Sequence, residues 1–255
     1  MVHICEKGPA SDFGHCPNVT YTYEQIKDGF AGYEVLVVPE FEGNLNWTKT
    51  SEWIKGNFSG VPIIVNVFEG GNESLPKPNV MMSLEELEQV MEIADVEGIR
   101  FAELISWYMN QTYPNVSIPT VWVHQLFDLA IDNNLRIIWS DWKLGYDVEE
   151  WTNSTLSGYE DKITYVYQTN NEFQHPVIGF LYAMQFPNWG ASVQSWYWQA
   201  IGCGKETEMP VYLIVEHSLI SRNMEAQIIM FEPYWYFFDD NGTARYAMYS
   251  IWETI

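Results

Sequence analysis

The sequence predicts an α/β protein, a single-domain (β/α)8 TIM barrel over residues 1–255. Three observations predict it. Eight short apolar runs alternate with helical segments, and that alternation implies a parallel sheet joined by crossover helices. Polar and aromatic residues gather just after the apolar part of most runs, where such a barrel carries its chemistry. A chain of 255 residues suits one barrel around one core, and no Pro/Gly/Ser-rich linker divides it. A doubly wound open sheet is the alternative, weakened because Gly70-Gly71 lacks the pattern of a glycine-rich phosphate loop.

The first strand is Met1 to Cys5, a short apolar run; without it a seven-stranded or irregular barrel remains. A helix at Tyr23 to Gly29 follows. Glu34 to Val38 is continuously apolar, like a parallel strand buried on both faces, and it runs into Glu40 and Glu42. A short helix around Ser51 to Lys55 leads to the strand Val61 to Phe68, where Pro62 fits only a strand start, and then to Glu69-Gly70-Gly71. Ser83 with Glu86 forms a capping box, and Leu84, Leu87, Val90, Met91 and Ala94 make the apolar stripe of a helix that Gly98 should stop.

Ile99 to Trp107 is the next strand, with Phe101, Glu103, Ile105 and Trp107 on one face. Pro119 starts a helix through Leu126 and Leu129 to Asn134. The strand Leu135 to Trp139 ends in Ser140-Asp141-Trp142-Lys143, with Trp139, Asp141 and Lys143 on one face. A helix at Val148 to Leu156 precedes the strand Ile163 to Tyr167, which ends in Gln168-Thr169-Asn170-Asn171-Glu172. His175-Pro176 opens an apolar helix to Phe186, and Gly190 leads into a strand through Gln194 toward Trp196 and Trp198. Pro210 begins a long helix, and the last strand starts at Ala226 and ends in Glu232, followed by Pro233, Tyr234 and Trp235.

A barrel mouth would therefore collect Glu40, Glu42, Glu69, Glu103, Asp141, Glu172 and Glu232 among aromatic rings. Carboxyl groups crowded among rings suit glycoside cleavage, in which one acid protonates the leaving oxygen and a second carboxylate attacks or activates water. The expected catalytic residues are Glu172, Glu232 and Glu103. Trp107, Trp139, Asp141, Lys143, Asn170, Gln194, Trp196, Trp198, Tyr234 and Trp235 are the expected sugar-binding set. Glu40, Glu42 and Glu69 sit beside glycines and read more readily as turn residues.

The strand-terminal Thr169-Asn170-Asn171-Glu172 resembles the Asn-Glu end that carries the acid/base of the large clan of (β/α)8 retaining glycoside hydrolases. Phe231-Glu232-Pro233 resembles a strand-terminal nucleophile of that clan. The resemblance implies an acid/base on Glu172 and a nucleophile on Glu232. It departs in position: the clan places these groups after strands four and seven, whereas here they follow the sixth and eighth. A pair of Glu103 with Glu172 or with Glu232 stays open.

The net charge of -22 argues against a nucleic-acid partner, since phosphate backbones are bound by basic grooves. The five histidines show no HxH or HExxH spacing, so neither a metal nor another cofactor is expected. No G-x-S-x-G elbow is present, and Cys203 has no identifiable histidine partner.

Sequons stand at Asn18, Asn46, Asn57, Asn72, Asn110, Asn115, Asn153 and Asn241, above the roughly two or three expected by chance. They favour a secreted or cell-surface glycoprotein, and Cys5 with Cys16 is a candidate disulfide. Met1 to Cys5 lacks the features of a signal peptide, no apolar run is long enough to span a membrane, and the expectation is a domain cut from a longer chain. The competing expectation is a non-catalytic surface glycoprotein that binds carbohydrate, or only builds an envelope, on the same fold.

Overall fold

The computed structural model describes residues 2–5, 37–40, 51–52, 55–56, 58–70, 80–104, 120–141, 149–168, 177–194, 196–197, 207–208 and 211–232. In chain order these form β1 (Val2–Cys5), β2 (Val37–Glu40), β3 (Pro62–Glu69), β4 (Val80–Met81), α1 (Leu84–Ile93), β5 (Asp95–Ala102), α2 (Thr120–Asp132) and β6 (Arg136–Asp141). They continue as α3 (Glu149–Leu156), β7 (Ile163–Gln168), α4 (Val177–Ala183), β8 (Asn188–Gln194), β9 (Trp196–Tyr197), β10 (Thr207–Glu208), α5 (Val211–Asn223) and β11 (Ile228–Glu232).

Among the described residues nine strands make one sheet in the order β2-β1-β11-β8-β7-β6-β5-β3-β4, and β2 pairs also with β3. All pairings in it are parallel except that of β3 with β4. The sheet is curled. Val38, Ile64, Ile138, Val166 and Met230, from β2, β3, β6, β7 and β11, pack into one cluster, which among the described residues contains no helix residue. Along the sheet β3 and β11 are five steps apart, about 24 Å if it were flat. Only a sheet bent toward this face brings those side chains together.

The opposite face carries the larger core. Phe101, Trp139 and Tyr165 of the sheet pack there with Leu87 of α1, Phe127 of α2 and Phe180 of α4. Helix α2 supplies Val123, Leu126, Phe127 and Ala130, the i, i+3, i+4, i+7 spacing of one buried stripe. It ends where Asn134 takes a left-handed φ of 57° and the Leu135 N–H returns to the Ala130 carbonyl at 2.8 Å, a Schellman-type closure.

The capping box of α1 forms as expected: the Ser83 hydroxyl accepts from the Glu86 N–H at 3.2 Å, and the Glu86 carboxylate accepts from the Ser83 N–H at 2.7 Å. Replacing Ser83 with alanine should cost about 1 kcal/mol in a denaturant titration, with no change in slope. Gly98, expected to stop this helix, lies instead inside β5. The helix ends at Ala94, whose extended φ of -136° starts the next strand. At position 98 β5 runs so close to β6 that an added Cβ would sit 2.7 Å from the Arg136 carbonyl oxygen.

Other elements also differ from expectation. The strand expected over Ile99 to Trp107 runs over Asp95–Ala102, because Glu103 turns into a left-handed φ of 60° and breaks the alternation. The short strands β4 and β10 carried no recognisable signal, and the run expected toward Trp196 and Trp198 divides into β8 and β9, the latter pairing antiparallel with β10; β4, β9 and β10 are each two residues long. The helix expected at Tyr23 to Gly29 lies outside the described residues, as do residues 34–36.

Candidate active site

The face of the sheet lined by this apolar cluster changes character along the strands. Above the apolar cluster, toward the C-terminal strand ends, Asn66 of β3, Arg100 of β5, Ser140 of β6, Gln168 of β7 and Ser192 of β8 are all buried, none more than 3% exposed. Strand alternation places Arg100, Ser140, Gln168 and Ser192 two residues beyond Gly98, Ile138, Val166 and Gly190, on the same face.

These side chains form one network. Arg100 Nε donates to Ser140 Oγ at 2.7 Å, and Arg100 Nη1 donates to Asn66 Oδ1 at 3.4 Å. Gln168 Nε2 donates to the same Ser140 oxygen at 3.2 Å, and Asn66 Nδ2 donates to Glu69 Oε2 at 3.2 Å. A buried guanidinium is costly to desolvate, so these partners hold it in place. Sequence reasoning missed this layer, although its signal is visible: single polar residues interrupt otherwise apolar strands at Asn66, Arg100 and Ser140.

Two carboxylates stand at its rim on neighbouring strands. Glu69 ends β3 in register with Ala102, and Glu103 is the next residue after that partner. The Glu103 N–H donates to the Ser140 carbonyl at 2.8 Å, and the Gly70 N–H to the Ala102 carbonyl at 3.1 Å, so the ladder continues past the strand ends. A Cβ at Gly70 would lie 3.2 Å from Glu103 Cβ, which keeps the two strand ends in close contact. Left-handed backbone at a non-glycine residue is strained, and such strain clusters at functional sites. Both carboxylates are partly exposed.

Asp141 is fully buried and Trp139 is at 0% exposure, but the face they share is the one packed against helices. Trp139 contacts Phe101, Phe127 and Trp151 with ring centroids 6.2, 6.4 and 6.0 Å away. The expected alternation holds, and the expected side of the sheet is corrected: Trp139 fills the core and presents no stacking surface. Asp141 pairs in register with Tyr167. Burial first, then the charges of Asp141, Tyr182 and Tyr167, push the Tyr165 phenol well above its ordinary range, so it stays a neutral core group.

Gln194 and Glu232 end β8 and β11 in register with each other. Trp196 begins the β9 strand two residues beyond, and pairs with Glu208 of β10. Cys5 ends β1 opposite Glu40 of β2. Trp107, Lys143, Asn170, Glu172, Trp198, Tyr234, Trp235 and Cys16 lie outside the described residues, as do all the sequons except Asn153. Asn153 is exposed inside α3. Among the described residues no three His, Cys, Asp or Glu are gathered as metal ligands, and no helix is long and apolar enough to cross a membrane.

Neither a protein-family model nor a curated protein matches the chain by sequence. Solved structures match it by fold. The catalytic module of a family 98 glycoside hydrolase from Streptococcus pneumoniae, in complex with the LewisY pentasaccharide blood group antigen, superposes with a TM-score of 0.59 at 14% identity, covering 91% of this chain and 48% of that one. A Rhizomucor miehei beta-1,3-glucanosyltransferase active-site mutant in complex with laminaritriose gives 0.51 at 10% identity, covering 96% of both chains. The chain thus spans about half the length of the family 98 module, and it shares with these proteins an α/β fold with a curled, mainly parallel sheet.

Proposed function

We propose that the chain is a carbohydrate-processing enzyme, a glycosidase acting on an extracellular glycan or polysaccharide at the C-terminal mouth of a (β/α)8 barrel. In this reading β1, β2, β3, β5, β6, β7, β8 and β11 are the eight barrel strands, and the pairing of Val37 with Ile63 closes the ring. The observation that carries the function is the buried polar layer of Asn66, Arg100, Ser140 and Gln168, which has carboxylates at the strand ends just above it. The fold likeness to two glycan-acting proteins supports the same reading, and the chain's span of about half the family 98 module leaves its substrate as part of the proposal.

The catalytic carboxylates come from Glu103, Glu172 and Glu232. Glu103 follows β5, the fourth barrel strand in this count, and that is where the retaining clan resembled by the sequence keeps its acid/base. Glycoside cleavage needs a carboxylic acid that gives its proton to the leaving oxygen and a carboxylate that attacks the anomeric carbon or takes a proton from water. The sequons extend the proposal to a secreted or cell-surface glycoprotein.

The test is cleavage of a panel that includes laminarin and fucosylated blood-group oligosaccharides by the wild-type chain and by Glu103→Gln, Glu172→Gln and Glu232→Gln. At least two of the three variants should lose about a hundredfold or more in kcat while remaining folded. Cleavage at the wild-type rate by all three would remove them as catalysts. Sugar binding without cleavage in the wild type would favour a carbohydrate-binding protein on the same fold.

A further inference from the structure

We propose that Glu69 binds a sugar hydroxyl beside Glu103, and that Arg100 and Asn66 are the positioning residues that aim it. The proposal rests on the carbohydrate-processing reading above and adds a residue that the strand-end pattern alone assigns to a turn.

Strand β3 carries a bulge. The register between β3 and β5 shifts between Asn66 and Phe68, so Val67 is an extra residue in β3. Val67 and Phe68 both enter the core under the helices, and the Phe68 ring meets Trp122 at 6.2 Å. Unbroken alternation from Asn66 would send Glu69 to that same helix-facing side. The bulge reverses it, and Glu69 comes to the side of Asn66, to which it is hydrogen-bonded at 3.2 Å. Bulges that re-aim one side chain recur next to active sites.

Hydrogen-bond polarity supplies the second step. A guanidinium has donors and no acceptor, so the Asn66 atom facing Arg100 must be the amide oxygen. That assignment fixes the orientation of the amide and turns its NH2 toward Glu69. An NH2 only donates, so the Glu69 oxygen it meets must accept. Arg100 is itself anchored by the Ser140 oxygen, which also accepts from Gln168, so the run of donors goes from Arg100 on β5 through Asn66 to the β3 rim. What it presents there is a carboxylate with a defined direction, one residue in register from Glu103. A sugar hydroxyl is the donor that such a group takes in a carbohydrate site.

Laminaritriose and the blood-group H disaccharide are titrated calorimetrically into the wild-type chain and into Glu69→Gln, Asn66→Asp, Arg100→Lys and the surface control Glu88→Gln, with thermal melts in parallel. The wild type should bind at least one probe. Glu69→Gln and Asn66→Asp should weaken that binding by about tenfold or more, the loss of one hydrogen bond to a charged group. Arg100→Lys keeps the charge but loses the fork, and should weaken binding by a smaller factor. Glu88→Gln should change neither binding nor melting.

A folded Glu69→Gln protein with wild-type affinity overturns the proposal while leaving the glycosidase reading intact, and so does a loss of melting temperature in the Asn66 and Arg100 variants without loss of affinity per folded molecule. Because Glu69 is at the rim, its variant stays informative even if Arg100→Lys does not fold. A wild-type chain that cleaves or binds none of the glycans overturns both readings.

Discussion

Replacing Trp139 with alanine is expected to cost about 3–5 kcal/mol of folding stability. The indole is fully buried, and it is the point where the rings of β5, α2 and α3 converge on Phe101, Phe127 and Trp151. Truncation removes its transfer free energy and leaves a cavity between sheet and helices that close-packed neighbours can only partly fill. Its Nε1 is buried with no hydrogen-bond partner among the described residues, so part of the packing gain already offsets an unsatisfied donor. Trp139→Phe, which removes that donor but keeps an aromatic ring, should therefore lose only about 1–2 kcal/mol. Denaturant titration of both variants checks the order. If Trp139 were a sugar platform, glycan affinity would fall for both while stability held; wild-type affinity in the Phe variant with lowered stability is the expected result.

Trp139 also marks where sequence reading stops. Period-2 alternation correctly put Trp139 and Asp141 on one face, because that inference needs only the local backbone. Which side of the sheet that face meets depends on the helices that cover it, and no local pattern states this. The other legible features have the same local character. The Ser83–Glu86 box, Pro62 at the start of β3 and the Leu126 stripe of α2 are each decided within one or two turns of chain.

The candidate site was less legible for three physical reasons. Glu69 looks like a turn residue in the sequence because the bulge at Val67, which reverses its side, exists only in the pairing of β3 with β5. Glu103 looks mid-strand in the sequence because a left-handed φ at a glutamate has no signature in composition. Arg100 passed unremarked within an apolar strand, since its partners Ser140 and Asn66 stand 40 and 34 residues away. What the apolar runs did convey was the direction of the strands, and with it the end of the sheet where polar groups gather. Glu172, the residue on which the resemblance leaned most, lies outside the described residues.

Gly179→Ala should destabilise the protein by about 3 kcal/mol, against the usual direction for such a change in a helix. In an isolated helix alanine is favoured over glycine by about 1 kcal/mol, so a neutral site would gain stability. Here a methyl group at position 179 would overlap the Tyr167 ring, which presses directly on the α4 backbone. The ring cannot turn away freely: it is 2% exposed and meets Phe180 edge-on at 6.1 Å. Overpacking therefore opposes propensity and exceeds it. The sign of the effect separates steric fit from any other role of the glycine. In a Tyr167→Leu background, which itself costs stability, the added methyl has room, and Gly179→Ala should become neutral or stabilising by up to about 1 kcal/mol. Thermal or denaturant melts of the two single variants and the double variant form the cycle. Equal destabilisation by Gly179→Ala in both backgrounds would mean that Tyr167 is not what excludes a side chain there. A reversal of sign would show that β7 and α4 are held at their separation by this one ring on this one glycine, and with them the strand end that carries Gln168 into the polar layer.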